Sequence, residues 1–248
     1  MKIAIISDIH GNMQALNAVL DDIKEEKCEQ IFCLGDLAMA GPEPAKTMDK
    51  FREMINEKHF ILIQGNTDEM IANCDNHLLH TLEEAMPVMA KALADDVCAL
   101  SDIQKSFLGS LPKSKELEID GRKILLVHGS PRRNNENIFP DLPIEQVEEM
   151  IAGTDADIIF CGHTHIPCGY QTNTNQTVVN VGSVGRPFSQ TPKSCYAILE
   201  IINAEFVIRH KQISYDVETA AKILRERGFE GADKLAQMLI SATSRYPE

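Results

Sequence analysis

The chain has 248 residues, of which 44% are hydrophobic and 25% are charged, the composition of an ordinary globular protein with room for one large core or two modest ones. Its apolar runs are too short to span a bilayer, and the opening segment reaches an aspartate before it could form the core of a signal peptide. Because a formal net charge of −13 would repel a phosphate polymer, we expect one cytoplasmic domain over residues 1–248, with neither a nucleic-acid polymer nor a membrane as partner.

The first sixty residues alternate short apolar runs with amphipathic segments. Alternation of this kind predicts parallel strands joined by helices in an α/β layered sheet. The predicted strands are 2–7, 30–34 and 59–63, and the predicted helices are 12–26 and a second one ending near residue 55.

Residues 68–111 lack strand-like alternation and are rich in Ala, Leu, Met and Glu, so they predict a helical insertion, which either covers a cleft or only packs on the core. An Asp-Gly pair at 120–121 predicts a hairpin. The remaining predicted elements are strands at 115–120, 122–128, 157–161, 167–172, 177–181, 195–202 and 205–214, and helices at 144–152 and from about residue 217.

Residues that commonly bind metals follow most of these apolar runs, in short motifs that each contain a glycine. In parallel sheets, ligands bind outside the carboxyl ends of the strands, so loops distant in sequence should converge there. The candidates are Asp8 and His10 in SDIHGN, Asp36 in LGD, Asn66 in GNTD, His128 in VHG, and His163 and His165 in CGHTH. By contrast, His59, His77, His80 and His210 lie outside any motif and are expected to be structural or exposed.

Imidazole, carboxylate and amide ligands together favour Mn, Fe or Zn over calcium, and the set is large enough for two divalent ions. Two close cations need an anionic bridge, for which Asp36 is our choice, and we expect Asp36, Asn66 and His128 to take part in catalysis as well. The net positive charge of such a site would attract a phosphate. The seven cysteines contain no Cys-x-x-Cys pair and predict reduced thiols rather than a thiolate metal site.

With these blocks in this order, residues 1–215 resemble the calcineurin-like metallophosphoesterase superfamily, in its short bacterial and archaeal branch related to diadenosine tetraphosphatases. HGSP near Pro131 and NVGSVGRP around Gly182 are similar to that branch's signatures. The resemblance implies a four-layer αββα sandwich and a metal-bridging hydroxide that hydrolyses a small phosphate ester or phosphoanhydride, such as a nucleotide. It also implies two metal sites, the first with Asp8, His10, Asp36 and His165 and the second with Asp36, Asn66, His128 and His163.

Two departures from the superfamily's protein-phosphatase branch concern the substrate. That branch has an arginine after Gly-Asp and a histidine after Gly-Asn, whereas this chain has Thr67 at the second position and no arginine at the first. A small substrate is therefore expected rather than a phosphoprotein. The donors expected to contact it are Asn12, Arg132, Arg133 and Arg186, the last standing in for an arginine that the branch usually carries where this chain has Phe188.

A catalytically inactive metal-binding scaffold on the same fold is the alternative, and retention of all seven ligands argues against it. A mononuclear hydrolase is less expected, because the chain has neither His-Glu-x-x-His nor His-x-His-x-Asp. The sequence leaves the metal, the bond that is cleaved and the oligomeric state open.

Overall fold

The computed structural model describes residues 1–243, which form two five-stranded sheets and the helices around them. The strands are β1 (Lys2–Ile6), β2 (Gln30–Cys33), β3 (Phe60–Leu62), β4 (Ser114–Ile119), β5 (Arg122–Val127), β6 (Ile158–Cys161), β7 (Cys168–Gln171), β8 (Thr177–Asn180), β9 (Lys193–Ile202) and β10 (Glu205–Ser214). The helices are α1 (Met13–Glu25), α2 (Pro44–Met54), α3 (Asn66–Ala72), α4 (Asn76–Ala85), α5 (Pro87–Ala99), α6 (Asp102–Ser110), α7 (Ile144–Met150), α8 (Val217–Glu226) and α9 (Ala232–Ser241).

The two sheets have the strand orders β10-β9-β1-β2-β3 and β4-β5-β6-β8-β7. Strands β1, β2 and β3 are parallel, as are β5, β6 and β8, which confirms the parallel pairing expected from the sequence. Each sheet therefore brings the carboxyl ends of three strands to one edge, where the loops that follow them can meet.

The parallel strands consist of consecutive apolar residues, because both faces of these strands are buried. In β1, Ile3 and Ile5 pack in the core between the sheets, while Ala4 and Ile6 face the helices outside the first sheet. Helix α7 covers the outer face of the second sheet. These layers are helix, sheet, sheet and helix, so the four-layer αββα sandwich is confirmed.

The helical insertion is also confirmed, since α3 to α6 occupy residues 66–110. Helices α8 and α9 pack against each other and share the core outside the first sheet with the insertion. Within the described residues, no helix is long and apolar enough to cross a membrane, and all seven cysteines are free thiols.

Candidate metal centre

Loops from both sheets meet and hold one another by backbone hydrogen bonds at the carboxyl ends of the parallel strands. The amides of Asp8 and His10 donate to the carbonyls of Gly35 and Asp36, at 3.0 and 2.9 Å. From the second sheet, the amide of Gly185 donates to the carbonyl of Asp8 at 2.9 Å. The expected ligands are thereby brought together from loops more than 150 residues apart in sequence.

Five of the seven expected ligands have a left-handed backbone, which non-glycine residues rarely adopt. Strain of this kind persists only where surrounding contacts impose it, and it concentrates at functional sites. The φ angles are 56° for Asp8, 47° for His10, 56° for Asp36, 68° for His163 and 61° for His165.

Two glycines allow the loops to approach closely. A Cβ on Gly65 would overlap the Asp36 carboxylate, and a Cβ on Gly162 would overlap that of Asp8. No other residue type fits at these two positions without moving a carboxylate.

Three buried histidines direct the same nitrogen towards the centre. Their Nδ1 atoms lie against backbone carbonyls: His10 at 2.7 Å from Met39, His128 at 2.8 Å from Leu34 and His165 at 2.6 Å from Arg186. A carbonyl can only accept, so each Nδ1 carries the proton and each Nε2 keeps a lone pair when the ring is neutral. The Nε2 atoms of His10 and His165 are 3.2 Å apart, an arrangement that a shared cation suits.

The two carboxylates each use one oxygen to hold a loop and turn the other inward. Asp36 accepts from the Thr67 amide through Oδ1 at 2.9 Å, and Asp8 accepts from the His163 amide through Oδ2 at 3.0 Å. Among the described residues, the buried Oδ1 of Asp8 has no hydrogen-bond partner. An orphaned carboxylate oxygen facing imidazole nitrogens fits a metal ligand.

These inward oxygens lie close to histidines from both halves of the cluster. Asp36 Oδ2 is 3.7 Å from His10 Nε2 and 3.4 Å from His128 Nε2. Asp8 Oδ1 is 3.2 Å from His165 Nε2 and 3.9 Å from His128 Nε2. The described residues form two compact ligand groups, Asp8 with His10 and His165, and Asp8 with Asp36 and His128. Asp8 is common to both groups, which the sequence did not indicate, and Asp36 Oδ2 lies within 3.7 Å of a histidine of each group.

Electrostatics of the cluster favour positive charge. Burial alone would raise the pKa of Asp36, but His128 and His10 lower it to about 2, and Asp8 is held well below its usual pKa by His165 despite complete burial. Burial would lower the pKa of His128, yet the carboxylate of Asp36 raises it to about 10. Burial lowers the pKa of His163 and His165, which keeps these rings neutral and able to bind a metal.

Asn66 and His163 complete the expected set. Asn66 Oδ1 is 3.0 Å from His128 Nε2, and the His163 ring lies 5.3 Å from the His128 ring between centroids. Neither residue belongs to the two compact groups of acidic and histidine ligands, but both line a cavity that opens on the cluster.

Comparison with known proteins agrees with this geometry. The family model of the calcineurin-like phosphoesterase superfamily domain matches residues 1–204. The chain belongs to this superfamily. It is 31% identical over 242 residues to an uncharacterised protein of Methanocaldococcus jannaschii, covering 91% of this chain and 93% of that protein. It is 24% identical over 208 residues to the phosphodiesterase YfcE of Escherichia coli, covering 81% and 88%.

Solved structures of the superfamily share the fold. A metallophosphoesterase from Sphaerobacter thermophilus has a TM-score of 0.77 and 25% identity, with 98% of this chain and 100% of that chain covered. A hypothetical protein from Pyrococcus horikoshii OT3 has a TM-score of 0.86 and 21% identity, covering 97% and 98%. The match to the family model ends before α8 and α9 begin.

Asp68 supports the ligand loops from within, a role that the sequence did not show. Its fully buried carboxylate accepts from the amides of Asp36 and Leu37 at 2.8 Å and from that of Gly65 at 2.9 Å. Burial, followed by the charge of Asp36, raises the pKa of Asp68 to about 6. Its position in GNTD was visible in the sequence, but its role needed the fold.

The four expected substrate donors occupy different environments. Arg186 lines the cavity beside the cluster, whereas exposed Arg132 pairs with Glu136 and Glu149. Arg132 and Arg133 both line a separate cavity of about 300 Å³ that reaches His128.

Asn12 is fully buried and does not support the prediction that it contacts substrate. Its Nδ2 donates to the Gly185 carbonyl at 2.8 Å, and its Oδ1 accepts from Ala15 as the N-cap of α1. An Asn directly before an amphipathic helix is a capping signal, so this role was accessible from the sequence.

The cavity beside the cluster has a volume of about 270 Å³ and contains groups that sequence motifs did not reveal. Methionines from the insertion and from α9 form part of its wall. The lining residues are His10, Asp36, Asn66, Thr67, Met86, Met89, His163, His165, Arg186, Phe188 and Met238.

Proposed function

We propose that the protein is a metal-dependent phosphoesterase that uses two divalent cations to hydrolyse a small phosphate ester or phosphoanhydride. The observation that carries this proposal is the convergence of three imidazole Nε2 atoms and two inward carboxylate oxygens in one buried cluster. YfcE of E. coli is described as a phosphodiesterase, which supports phosphoester hydrolysis by a relative.

The residues fit two cations that share the inward carboxylates. His10 and His165 would hold one cation, and Asn66, His128 and His163 the other, with Asp36 and Asp8 between them. When bound, the cations would act as Lewis acids on a phosphoryl oxygen and lower the pKa of an attacking water, chemistry that suits Mn, Fe or Zn.

The protein's own groups would orient the substrate. The Nδ1–carbonyl contacts lock the histidine rings, and Arg186 places positive charge on the cavity wall. Thr67 lies where a protonating histidine stands in the protein-phosphatase branch, and its hydroxyl is too weak an acid for that role near neutral pH. The chain therefore suits substrates whose leaving group needs little protonation.

Turnover of a substrate panel by metal-loaded and chelated protein tests the proposal. The panel holds nitrophenyl mono- and diesters, nucleotides, dinucleoside polyphosphates and cyclic nucleotides. We expect turnover of at least one class that chelation abolishes and Mn²⁺ restores. A protein that binds the cations but turns over none of the panel would favour the scaffold alternative instead.

A further inference from the structure

The cavity beside the cluster has two chemically different walls. One wall consists of the polar residues His10, Asp36, Asn66 and His163. The apolar wall is formed by four residues that no ligand motif contains, namely Met86, Met89, Phe188 and Met238.

The methionines come from two segments far apart in sequence. Met86 lies at the junction of α4 and α5 and is 50% exposed, unlike most large apolar side chains of the chain. Met89 lies in the first turn of α5, and Met238 lies on α9. Methionine is flexible and polarisable, so it adapts to apolar groups and contacts aromatic rings favourably.

The apolar wall reaches the cluster through Phe188. Its ring stacks on His165, with centroids 4.5 Å apart and an angle of 18° between the planes. The Arg186 guanidinium lies 5.6 Å from the Phe188 centroid and contacts the sulfurs of Met89 and Met238 at 3.7 and 3.9 Å. A phosphoryl group at the cluster therefore has the apolar wall within reach of its ester substituent.

Thr67 is a further polar residue of the cavity lining. It is 8% exposed, and its Oγ1 has no hydrogen-bond partner within the described part of the chain, although its amide is bonded to Asp36.

From these contacts we propose that the cavity binds the ester substituent of the substrate, and that its ligands are phosphate esters whose substituent carries one apolar ring. The methionine wall contacts the ring. This inference rests on the proposed function, because it assigns the substrate class of the same site.

Size and polarity both favour this class. A volume of about 270 Å³ lies below the range of about 300 to 1,000 Å³ typical of sites for drug-sized ligands. A sugar in contact with the apolar wall would bury hydroxyls against methionine without partners.

A matched pair of substrates separates ring binding from leaving-group acidity. Benzyl phosphate and ethyl phosphate both release primary alcohols, as do their methyl diesters, and differ mainly in the ring. For the Mn²⁺-loaded protein, we expect kcat/KM to favour the benzyl ester by about 10- to 200-fold, as hydrophobic pockets discriminate. Calorimetric titration with benzylphosphonate and methylphosphonate, which are not hydrolysed, should show the same preference in Kd.

The matched variants are Met89→Gln and Met13→Gln. Both methionines are half-buried and lie in the first turn of a helix, but Met13 does not line the cavity. Met89→Gln should reduce the benzyl preference about threefold or more because it replaces apolar contact area, and Met13→Gln should leave it unchanged.

Equal kcat/KM for the two esters and equal Kd for the two phosphonates would overturn the inference, as would the same loss of preference in both variants. If neither ester is cleaved, the phosphonate titrations alone decide whether the cavity selects a ring. The proposed function itself is wrong only if nitrophenyl esters and the rest of the substrate panel are not cleaved either.

Discussion

Replacement of Arg227 by methionine tests whether α8 supports the metal centre. The Arg227 guanidinium lies 2.8 Å from the Asp96 carboxylate, pairs with Asp95 and donates to the Gly41 carbonyl. Asp96, fully buried on α5, accepts from the Ala40 amide at 2.7 Å. The same loop contains Met39, whose carbonyl holds His10 Nδ1. Arg227 is thus linked to a ligand through Asp96 and this loop, although the family model does not extend to it.

Removing one partner of a buried ion pair costs about 3 to 5 kcal/mol. Arg227 is partly exposed, so we expect about 3 kcal/mol for Arg227→Met. For a chain of this size, that corresponds to a fall in Tm of about 6 to 12 °C. The control is Arg225→Met on the same helix, whose exposed pair with Asp233 should contribute less than about 1 kcal/mol.

The cost should depend on pH. Burial raises the pKa of Asp96 to about 6 even though Arg227 lowers it, and loss of Arg227 raises that pKa further. At pH 5 the Asp96 carboxyl of the variant takes up a proton and little unpaired charge remains, whereas at pH 8 the buried carboxylate is ionised without Arg227. Destabilisation should therefore grow from pH 5 to pH 8.

Urea unfolding at both pH values measures these changes, and Mn²⁺ titration of the folded variant measures the link to His10. We expect affinity for the first metal to fall by about tenfold, the lower end for loss of a supporting residue. If Arg227→Met were as stable as Arg225→Met at pH 8 and bound Mn²⁺ with unchanged affinity, the proposed connection between Arg227 and His10 would be refuted.

Four further predictions concern the metal centre and the helical insertion beside it. Asp36→Asn or His163→Ala should lower kcat/KM by orders of magnitude with the fold retained by circular dichroism; normal turnover in either would remove that residue from the site. Asp68→Asn should weaken Mn²⁺ binding about 10- to 100-fold in calorimetry, and unchanged affinity would show that its three amide contacts do not position Asp36. Thr67→His should flatten the fall of kcat/KM with leaving-group pKa by adding a general acid; an unchanged slope would mean that protonation comes from elsewhere. Phosphopeptides should be poor substrates because the insertion contributes to the cavity wall, a prediction that equal turnover of phosphopeptide and aryl phosphate would contradict.

Much of the fold was predictable because the strands are buried on both faces. The run that contains Ile3 to Ile6 had to pack on two sides, and its helical neighbour had one apolar face. Parallel pairing of β1 and β2 places the loops after these strands at the same edge of the sheet. It therefore brings Asp8 and Asp36 close together.

Contacts between elements that are distant in sequence could not be predicted from the sequence. The Nδ1–carbonyl bonds of the histidines, such as His165 to Arg186, depend on loop conformations that no local pattern specifies. Met86 and Met238 carry no motif, and only the packing of α9 on the insertion brings them to one cavity. The role of Asn12 as the N-cap of α1 could have been predicted from its position before an amphipathic helix. Its position next to SDIHG led us to expect a substrate contact instead.

Metal content measured together with turnover tests the central claim most directly. The protein is saturated with Mn²⁺, desalted and analysed for metal per chain, and the same sample is assayed with bis-nitrophenyl phosphate before and after chelation. We expect two ions per chain, loss of turnover on chelation, and recovery on readdition. Undiminished turnover by the fully chelated protein would contradict a metal centre built from Asp8, Asp36 and the histidines around them.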